Sequence, residues 1–167
     1  MLIRTEAPAD MLVIGQLLRD TFETQAEADL VQTLRENGRI TLSLVACTDE
    51  GQIVGHVLFT PVEIEGHDVT WQGLAPLCVH PEFQKQGIAR QLLEEGFDSL
   101  AELGYNGCVV LGDPNLYGKF GFESANQHGF HCQWDVPEGA FQIKPLIPGA
   151  FDGQQGLIRY CPEFAEL

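Results

Sequence analysis

The sequence predicts a single α/β domain in which strands and helices contribute to one mixed sheet. Three observations lead to this fold class. The chain has 167 residues, 44% of them hydrophobic, which suits one domain with a well-filled core. Strand-like runs separated by turn residues occupy residues 42–79, as in an antiparallel meander. A strand–turn–helix–strand series follows over residues 77–111, and such alternation is typical of mixed α/β folds.

Two helical patterns precede the meander. A short strand at residues 2–6 is followed by Pro8, a residue that favours the first turn of a helix. The apolar stripe of the first helix is predicted to comprise Leu12, Val13, Ile14, Leu17, Leu18 and Phe22. The second helix is predicted over residues 26–35 and ends at the pair Asn37-Gly38.

The rest of the chain alternates between strands and helices. Strands are predicted at residues 42–47, 53–64, 71–79 and 108–111, with late strands at 140–146 and 156–160. A helix is predicted from Gly87 to about Leu103, and Asn115 is expected to cap a short helix that Gly121 closes. We therefore expect one domain over residues 1–167, with its core in 1–124 and further strands and loops in 125–167.

The charge balance excludes some classes of partner. The net charge is −15, from 9 basic and 24 acidic residues. Nucleic acids and anionic membranes both attract basic surfaces, so neither is expected as a partner. No apolar run approaches the ~20 residues that span a bilayer. The N-terminus lacks the features of a signal peptide, which predicts a cytoplasmic location.

Cysteine usage is consistent with that location. The five cysteines form an odd set without a Cys-x-x-Cys pair. A disulfide framework or a cysteine-rich zinc site is therefore disfavoured, and no metal is expected.

The stretch over residues 77–93 carries the clearest functional signal. An apolar strand ends before Pro81, and a polar turn leads into a helix at Gly87-Ile88-Ala89. The first N–H groups of such a helix lack intrahelical partners and form the positive end of its dipole, so they bind phosphate well. Gly87 and Ala89 are small enough to let an anion approach. Neither the nucleotide P-loop pattern nor Gly-x-Gly-x-x-Gly is present, so the phosphate belongs to another kind of ligand.

Two motifs resemble those of the GCN5-related N-acetyltransferase (GNAT) superfamily. Residues 84–89, Gln-Lys-Gln-Gly-Ile-Ala, resemble its Gln/Arg-x-x-Gly-x-Gly/Ala signature. Residues 117–122, Tyr-Gly-Lys-Phe-Gly-Phe, resemble its later Tyr-x-x-x-Gly-Phe element. The order of elements fits over residues 1–124. Finer features, such as residues 54–57 and 111–114, resemble an uncharacterised bacterial branch of the YhbS type.

The resemblance implies a mostly antiparallel mixed sheet, splayed in a V between residues 77–79 and 108–111, with acetyl-CoA lying in the V as cosubstrate. It implies transfer of an acetyl group to an amine by direct attack, with the pyrophosphate held at the turn 84–90. The implied cofactor contacts are Leu77, Cys78, Val79, Gln84, Lys85, Gln86, Gly87, Ile88, Ala89, Arg90, Asn115 and Tyr117. The acceptor is a small molecule or a protein amine, and the protein is expected to be a monomer or a homodimer.

The resemblance also assigns chemistry to single residues. Tyr117 is expected to protonate the leaving thiolate, although it could instead only pack against the cofactor. Many relatives carry a Glu on the strand before the turn, whereas residues 73–79 contain no carboxylate here. Glu27 and His56 are therefore candidates for the base, although each is expected to be structural or to contact the acceptor rather than to act as a catalyst. Cys78 is expected to be a packed residue rather than a covalent carrier of the acetyl group.

Two alternative functions remain compatible with the sequence. The missing Glu is compatible with a CoA-binding or acyl-CoA-binding regulatory module without turnover. The same fold also suits an acyltransferase that uses a different acyl group.

Overall fold

The computed structural model describes residues 1–166. Within them, nine strands form a mixed, mostly antiparallel sheet accompanied by four α-helices, which confirms the predicted fold class. The strands are β1 (Leu2–Thr5), β2 (Leu42–Cys47), β3 (Ile53–Ile64), β4 (His67–Val79), β5 (Gly107–Leu111), β6 (Glu123–Ser124), β7 (Phe130–Cys132), β8 (Phe141–Pro145) and β9 (Gly156–Arg159). The helices are α1 (Met11–Phe22), α2 (Ala26–Glu36), α3 (Ile88–Glu102) and α4 (Pro114–Tyr117), and short 3-10 segments lie at Pro8–Asp10, Pro81–Phe83, Gly118–Phe120, Ala125–His128 and Pro162–Glu166.

The first of two compact units contains residues 1–59, residues 75–99 and the described residues from Pro162 onward. Its strands β1, β2 and β3 pair antiparallel, with Leu44 opposite both Thr5 and Val57. Helix α3 packs closely on β3, since a Cβ added at Gly55 would meet Leu92 Cδ1 at 3.0 Å. This contact fixes the position of α3 and therefore of its N-terminus.

The second unit comprises residues 60–74 and 100–161. Here β4 pairs parallel with β5, and β8 lies antiparallel to both β5 and β6. Strand β9 pairs antiparallel with the end of β3 and parallel with β7. Trp71 is buried and its ring packs against Phe130 at a centroid distance of 5.1 Å.

The predicted helices and the main strands agree with the structure to within a few residues, but three details were wrong. Leu12 and Val13 are 87% and 46% exposed and do not belong to the buried stripe of α1, which is carried by Ile14, Leu17 and Leu18. The cap of α4 is Asp113, whose Oδ1 accepts a hydrogen bond from the Asn115 N–H at 2.9 Å. Strands β6 and β7 were not predicted, because two or three residues are too few for a periodic signal.

Candidate active site

The turn between β4 and α3 is held by backbone and side-chain hydrogen bonds within the first unit. The N–H of His80 donates to the carbonyl of Val54 at 2.7 Å, which ties the end of β4 to β3. The Nδ1 atom of His80 accepts from the Glu82 N–H at 3.1 Å and caps the 3-10 segment Pro81–Phe83. The Gln84 side chain then reaches back, and its Nε2 donates to the carbonyl of Val79 at 3.0 Å. These bonds set the path of the chain into α3.

Two residues of the turn adopt left-handed backbone conformations. Gly87 has φ +80°, which glycine tolerates, whereas Lys85 has φ +63° and carries a side chain. A residue with a Cβ loses about 1–2 kcal/mol in this region relative to the right-handed one. Such strain is commonly found in ligand-binding turns. Lys85 therefore occupies this position at a cost that the surrounding hydrogen bonds offset.

The start of α3 forms an open cradle for an anion. The first hydrogen bond of the helix runs from the Gln91 N–H to the Gly87 carbonyl at 3.1 Å. The N–H groups of Ile88 and Ala89 come before this bond, so no carbonyl within the helix accepts from them. A Cβ built on Gly87 would have no other atom within 4 Å among the described residues, which leaves space for a ligand. The 15 residues of α3 place the positive end of its dipole at this point.

Two basic side chains lie on the turn and the first helical turn. Lys85 and Arg90 are both exposed, and Arg90 Nη1 lies 3.4 Å from Glu94 Oε1 in a solvent-exposed ion pair. Such a pair is weak and can rearrange when a phosphate approaches. The cradle thus combines backbone donors with exposed positive charge, the usual chemistry of phosphate recognition.

The last residues of β4 alternate in burial. Leu77 and Val79 are partly exposed, whereas Cys78 is buried. Burial raises the pKa of the Cys78 thiol to about 12, although the nearby Thr21 hydroxyl and the backbone of His56 oppose this rise. The thiol is therefore protonated at neutral pH and a poor nucleophile.

His56 lies in a buried polar network that the sequence did not reveal. Its Nε2 is 3.0 Å from Ser43 Oγ, and the Ser43 hydroxyl also makes a short hydrogen bond to Glu6 Oε1. Arg35 donates to both oxygens of the Glu6 carboxylate, each at 3.2 Å. The His56 side chain has no exposed surface, so a direct contact with an acceptor is not available in this conformation. Burial lowers the pKa of His56 to about 4, which keeps the ring neutral.

The other predicted acceptor contact, Glu27, stands at the start of α2. Its Oε2 accepts a hydrogen bond from the Thr24 hydroxyl at 2.7 Å, and the side chain is partly exposed. This arrangement is that of a residue that stabilises the first helical turn. It also leaves the carboxylate within reach of solvent.

Tyr117 belongs to the second unit and ends α4. It is 8% exposed, and its ring packs edge-on against Phe122 at a centroid distance of 5.7 Å. A Cβ on Gly112 would lie 2.5 Å from Tyr117 Cε2, so glycine at 112 is required to seat this ring. Burial raises the pKa of Tyr117 to about 12, with a smaller contribution from Cys108.

The structure thus groups the predicted residues into two sets. Residues 77–79 and 84–90 lie on one continuous segment of the first unit, and the Gln84 side chain bridges the turn by donating to the Val79 carbonyl. Asn115 and Tyr117 lie on α4 of the second unit, where Asn115 is exposed. Glu6, Ser43 and Arg35 were missed, because single polar residues just after β1, on β2 and on α2 carry no motif.

Among residues 1–166 there is no set of three or more His, Cys, Asp or Glu side chains arranged to hold a metal ion. The five cysteines are free thiols in this part of the chain.

Comparison with known proteins defines the class to which the fold and the turn belong. The model of the acetyltransferase (GNAT) domain matches residues 40–124, which include the turn and α4. The chain belongs to the GNAT acetyltransferase family.

Among individual proteins, it is 51% identical to the uncharacterized N-acetyltransferase YhbS of Escherichia coli K12, with 98% of both chains covered. The uncharacterized N-acetyltransferase YjhQ of the same organism is 38% identical over 78% of this chain and 74% of that protein.

Two solved structures extend the comparison to three dimensions. The crystal structure of YhbS from E. coli in complex with CoA superposes with a TM-score of 0.96, at 51% identity, over 98% of this chain and 91% of that one. A GNAT acetyltransferase from Brucella melitensis in complex with acetyl-CoA gives a TM-score of 0.82 at 36% identity, over 98% and 97% of the two chains.

Proposed function

We propose that this protein transfers an acetyl group from acetyl-CoA to an amine. The observation that carries the proposal is the open anion cradle at the start of α3, in a chain that matches a CoA-bound relative over nearly its full length. The pyrophosphate of acetyl-CoA is the anion that this turn receives. The N–H groups of Ile88 and Ala89 donate to it, and Lys85 and Arg90 supply positive charge.

The end of β4 is the proposed seat of the pantetheine arm. Leu77 and Val79 are partly exposed, so the backbone beside them is accessible to a partner that offers amide groups. An extended arm with amides can pair with such a strand as an added strand does. Gln84, Gln86 and Asn115 are the proposed polar contacts around the cofactor.

Tyr117 is the proposed general acid. Thioester aminolysis releases a thiolate, which is stabilised when a nearby group donates a proton. A tyrosine whose pKa is about 12 remains protonated over the whole physiological range and has a proton to give. Cys78 has no part in this scheme, since its pKa of about 12 leaves it as a thiol.

The scheme does not need a carboxylate on β4. Residues 73–79 provide none, and His56 is enclosed by the protein. An acceptor ammonium group that loses a proton to water before binding, or to Glu27 on binding, becomes the neutral amine that attacks the thioester directly. The C–S bond breaks after the C–N bond forms, Tyr117 protonates the departing thiolate, and the proton that the nitrogen then loses passes to solvent, from which Tyr117 is reprotonated. We therefore expect a rate that rises with pH as the acceptor amine becomes neutral. His56 is assigned a structural role, in which it joins Ser43 and Glu6 in a buried hydrogen-bond network.

The test is release of free thiol from acetyl-CoA in the presence of a panel of primary amines, amino acid amides and peptide N-termini. Acetylation of at least one amine, detected by mass spectrometry, supports the proposal. Tight CoA binding without thiol release from any amine would instead favour a regulatory module. Parallel assays with propionyl-CoA and succinyl-CoA decide whether acetyl is the preferred group.

Two further expectations accompany this proposal. Among the described residues no helix is both long and apolar enough to cross a bilayer. The proposed location is the cytoplasm, and the proposed assembly is a monomer or a homodimer. Size-exclusion chromatography with light scattering distinguishes the two assemblies.

A further inference from the structure

Most of the exposed apolar side chains lie near the start of the chain. Among the described residues, eight large apolar side chains are exposed, and five of them fall within residues 1–13. These five are Met1, Leu2, Met11, Leu12 and Val13, and Leu12 is 87% exposed. Single exposed apolar residues are normal on a protein surface, whereas a group of them commonly marks an interaction surface.

This group of side chains lies on β1 and on the start of α1, which are joined to each other. Arg4 Nη1 donates to Asp10 Oδ2 at 2.6 Å, and Asp10 immediately precedes α1. Side chains alternate along a strand, so Leu2 lies on the same face of β1 as Arg4. Leu2 is 59% exposed and therefore lies on the face of β1 that adjoins the start of α1. We define the N-terminal patch as Leu2, Met11, Leu12 and Val13.

The patch borders a projection and a depression on the same helix. Leu12 projects from α1, and three positions later Gly15 has no side chain. Residues at i, i+3, i+4 and i+7 surround one hole on a helix surface, and on α1 these are Leu12, Gly15, Gln16 and Arg19. Leu12, Gly15 and Arg19 also line an open groove of about 230 Å³ between α1 and α2. A projection beside a hole fits a second copy of the same helix that lies antiparallel to the first.

The Arg19 side chain lies over this hole and is weakly held. The atoms nearest to a Cβ built on Gly15 belong to the Arg19 guanidinium, with Nη1 at 3.5 Å. Among the described residues the Arg19 side chain makes one hydrogen bond, to Gln16 Oε1 at 3.3 Å in exposed surroundings, and no ion pair. Such a side chain moves aside at little cost, so a leucine from another copy can reach Gly15.

The charge distribution favours contact between two copies at this patch. Each chain carries a net charge of −15, so two copies repel each other. Within residues 1–19 the charges of Arg4 and Arg19 cancel those of Glu6 and Asp10, and residues 20–167 carry the whole −15. A second copy therefore meets the least repulsion at the N-terminal patch. A basic protein would instead be attracted to the acidic remainder of the surface.

From this shape and charge we propose that the N-terminal patch is the contact surface of a symmetric homodimer. The two α1 helices lie antiparallel, and Leu12 of each copy enters the hole beside Gly15 of the other. The same residues make the contact in both directions, so assembly closes at two copies. The contact includes no residue of the phosphate turn and does not depend on the proposed acetyl transfer.

The size of the helix sets the expected strength of the dimer. The 12 residues of α1 extend over about 18 Å, and a helix with its side chains is about 10 Å wide. This face is smaller than the ~800 Å² that each partner buries in a typical stable complex. We therefore expect a reversible dimer with a dissociation constant of about 10–100 µM.

Sedimentation velocity over a concentration series tests the proposal. Between about 5 and about 500 µM the weight-average mass should rise from one chain towards two and go no further. Raising NaCl from about 0.05 M to about 0.5 M should tighten the dimer at least about threefold, because salt screens the repulsion between the acidic copies. A monomer throughout the series, assembly beyond two chains, or a dimer that weakens as salt is raised would overturn the proposal.

A matched pair of charge variants locates the contact. Leu12→Glu places a carboxylate on the projection and is expected to weaken the dimer by about tenfold or more. The control is Leu103→Glu, which makes the same change at a leucine that is 61% exposed outside the patch. Its dissociation constant should stay within about twofold of the wild type. Equal weakening by Leu12→Glu and Leu103→Glu would show that net charge, and not the patch, governs association.

A third variant tests the hole while Leu12 and the net charge stay the same. Gly15→Leu fills the hole from the partly exposed surface of α1 and is expected to weaken the dimer by about tenfold. Unchanged association of Gly15→Leu would place the contact elsewhere and overturn the proposal. All three variants should bind CoA within about twofold of the wild type, because the patch and the phosphate turn share no residue.

Discussion

The Oγ atom of Ser43 lies 3.0 Å from Nε2 of His56, and this contact joins a fully buried imidazole to the carboxylate of Glu6. Arg35 closes the network by donating to both oxygens of Glu6. Nδ1 of His56 has no hydrogen-bond partner among the described residues. The network therefore holds the neutral ring through Nε2 only, and burial disfavours the protonated ring despite the nearby Glu6 carboxylate.

The first prediction concerns the pH dependence of stability. Burial, opposed by Glu6 and aided by Arg35, lowers the pKa of His56 to about 4 from an ordinary value of 6.5. The unfolded state therefore binds more protons between these values, so His56 costs stability as the pH falls from 6.5 towards 4. The full effect is on the order of 3 kcal/mol. Urea denaturation at pH 7.5, 5.5 and 4.5 should show this loss.

The control for that measurement is His56→Gln, which keeps a hydrogen-bonding group for Ser43 but does not titrate. Its stability should fall less than that of the wild type over the same pH interval. Parallel pH profiles for the two proteins would mean that His56 is not the group responsible.

The second prediction separates charge from backbone strain at the phosphate turn. Gly87→Gln and Gly87→Glu both place a similar side chain at φ +80° in open space. They share the strain of about 1–2 kcal/mol and differ only in charge. We expect CoA binding to be weakened in both and to be at least about tenfold weaker in Gly87→Glu than in Gly87→Gln, because the carboxylate repels the pyrophosphate. Equal CoA affinities of the two variants, measured by calorimetry, would mean that the pyrophosphate does not bind beside Gly87.

The third prediction concerns the proposed general acid. Tyr117→Phe keeps the ring contact with Phe122 and removes only the hydroxyl, so the fold should be unaffected. Turnover is expected to drop by about a hundredfold with little change in the affinity for acetyl-CoA. In the wild type, a pKa of about 12 means that ionisation of Tyr117 causes no loss of kcat up to about pH 10. An unchanged kcat in the variant would leave Tyr117 with a packing role alone.

The fourth prediction concerns Cys78. Since burial raises the pKa of its thiol to about 12, an acetyl-cysteine intermediate is not expected. Cys78→Ala should retain kcat within a few-fold of the wild type and lose about 1 kcal/mol of stability from the small cavity. Mass spectrometry of the enzyme quenched during turnover should show no acetylated form. A stable acetyl adduct at Cys78, together with an inactive variant, would contradict direct transfer.

Features that depend on local sequence were predictable. The stop at Pro81, the helix start at Gly87-Ile88-Ala89 and the positive φ of Gly121 are set by single residue types. Those residues also define the phosphate turn, which is why its position could be read directly. The burial of Leu12 was predicted incorrectly because spacing reveals a helical face but not what packs on it.

Features that depend on contacts distant in sequence were not predictable. Ser43 and His56 lie on β2 and β3, and Glu6 directly follows β1, so they meet only because β1, β2 and β3 are neighbours. In the same way, Glu163 accepts a hydrogen bond from Asn37 across 126 positions. No local pattern distinguishes these polar residues from exposed ones, so their burial emerged only with the tertiary structure.

The last prediction uses two helical glycines to test packing in the first unit. In a helix, Gly→Ala usually stabilises by up to about 1 kcal/mol. Gly15 on α1 should follow this rule, because a Cβ there would meet the Arg19 guanidinium at an ordinary 3.5 Å. Gly96 on α3 should reverse it, because its Cβ would lie 2.7 Å from Cε2 of the fully buried Phe59.

The ring of Phe59 cannot move freely, since it packs edge-on against Phe97 at a centroid distance of 6.4 Å. Gly96→Ala is therefore expected to destabilise the protein by about 1–3 kcal/mol, whereas Gly15→Ala stabilises it. Chemical denaturation of the two variants measures both changes. The double change Gly96→Ala with Phe59→Leu should recover part of the loss, because the smaller side chain vacates the space that the new methyl group needs. Destabilisation of similar size in Gly15→Ala and Gly96→Ala would mean that the contact with Phe59 is not the cause of the loss.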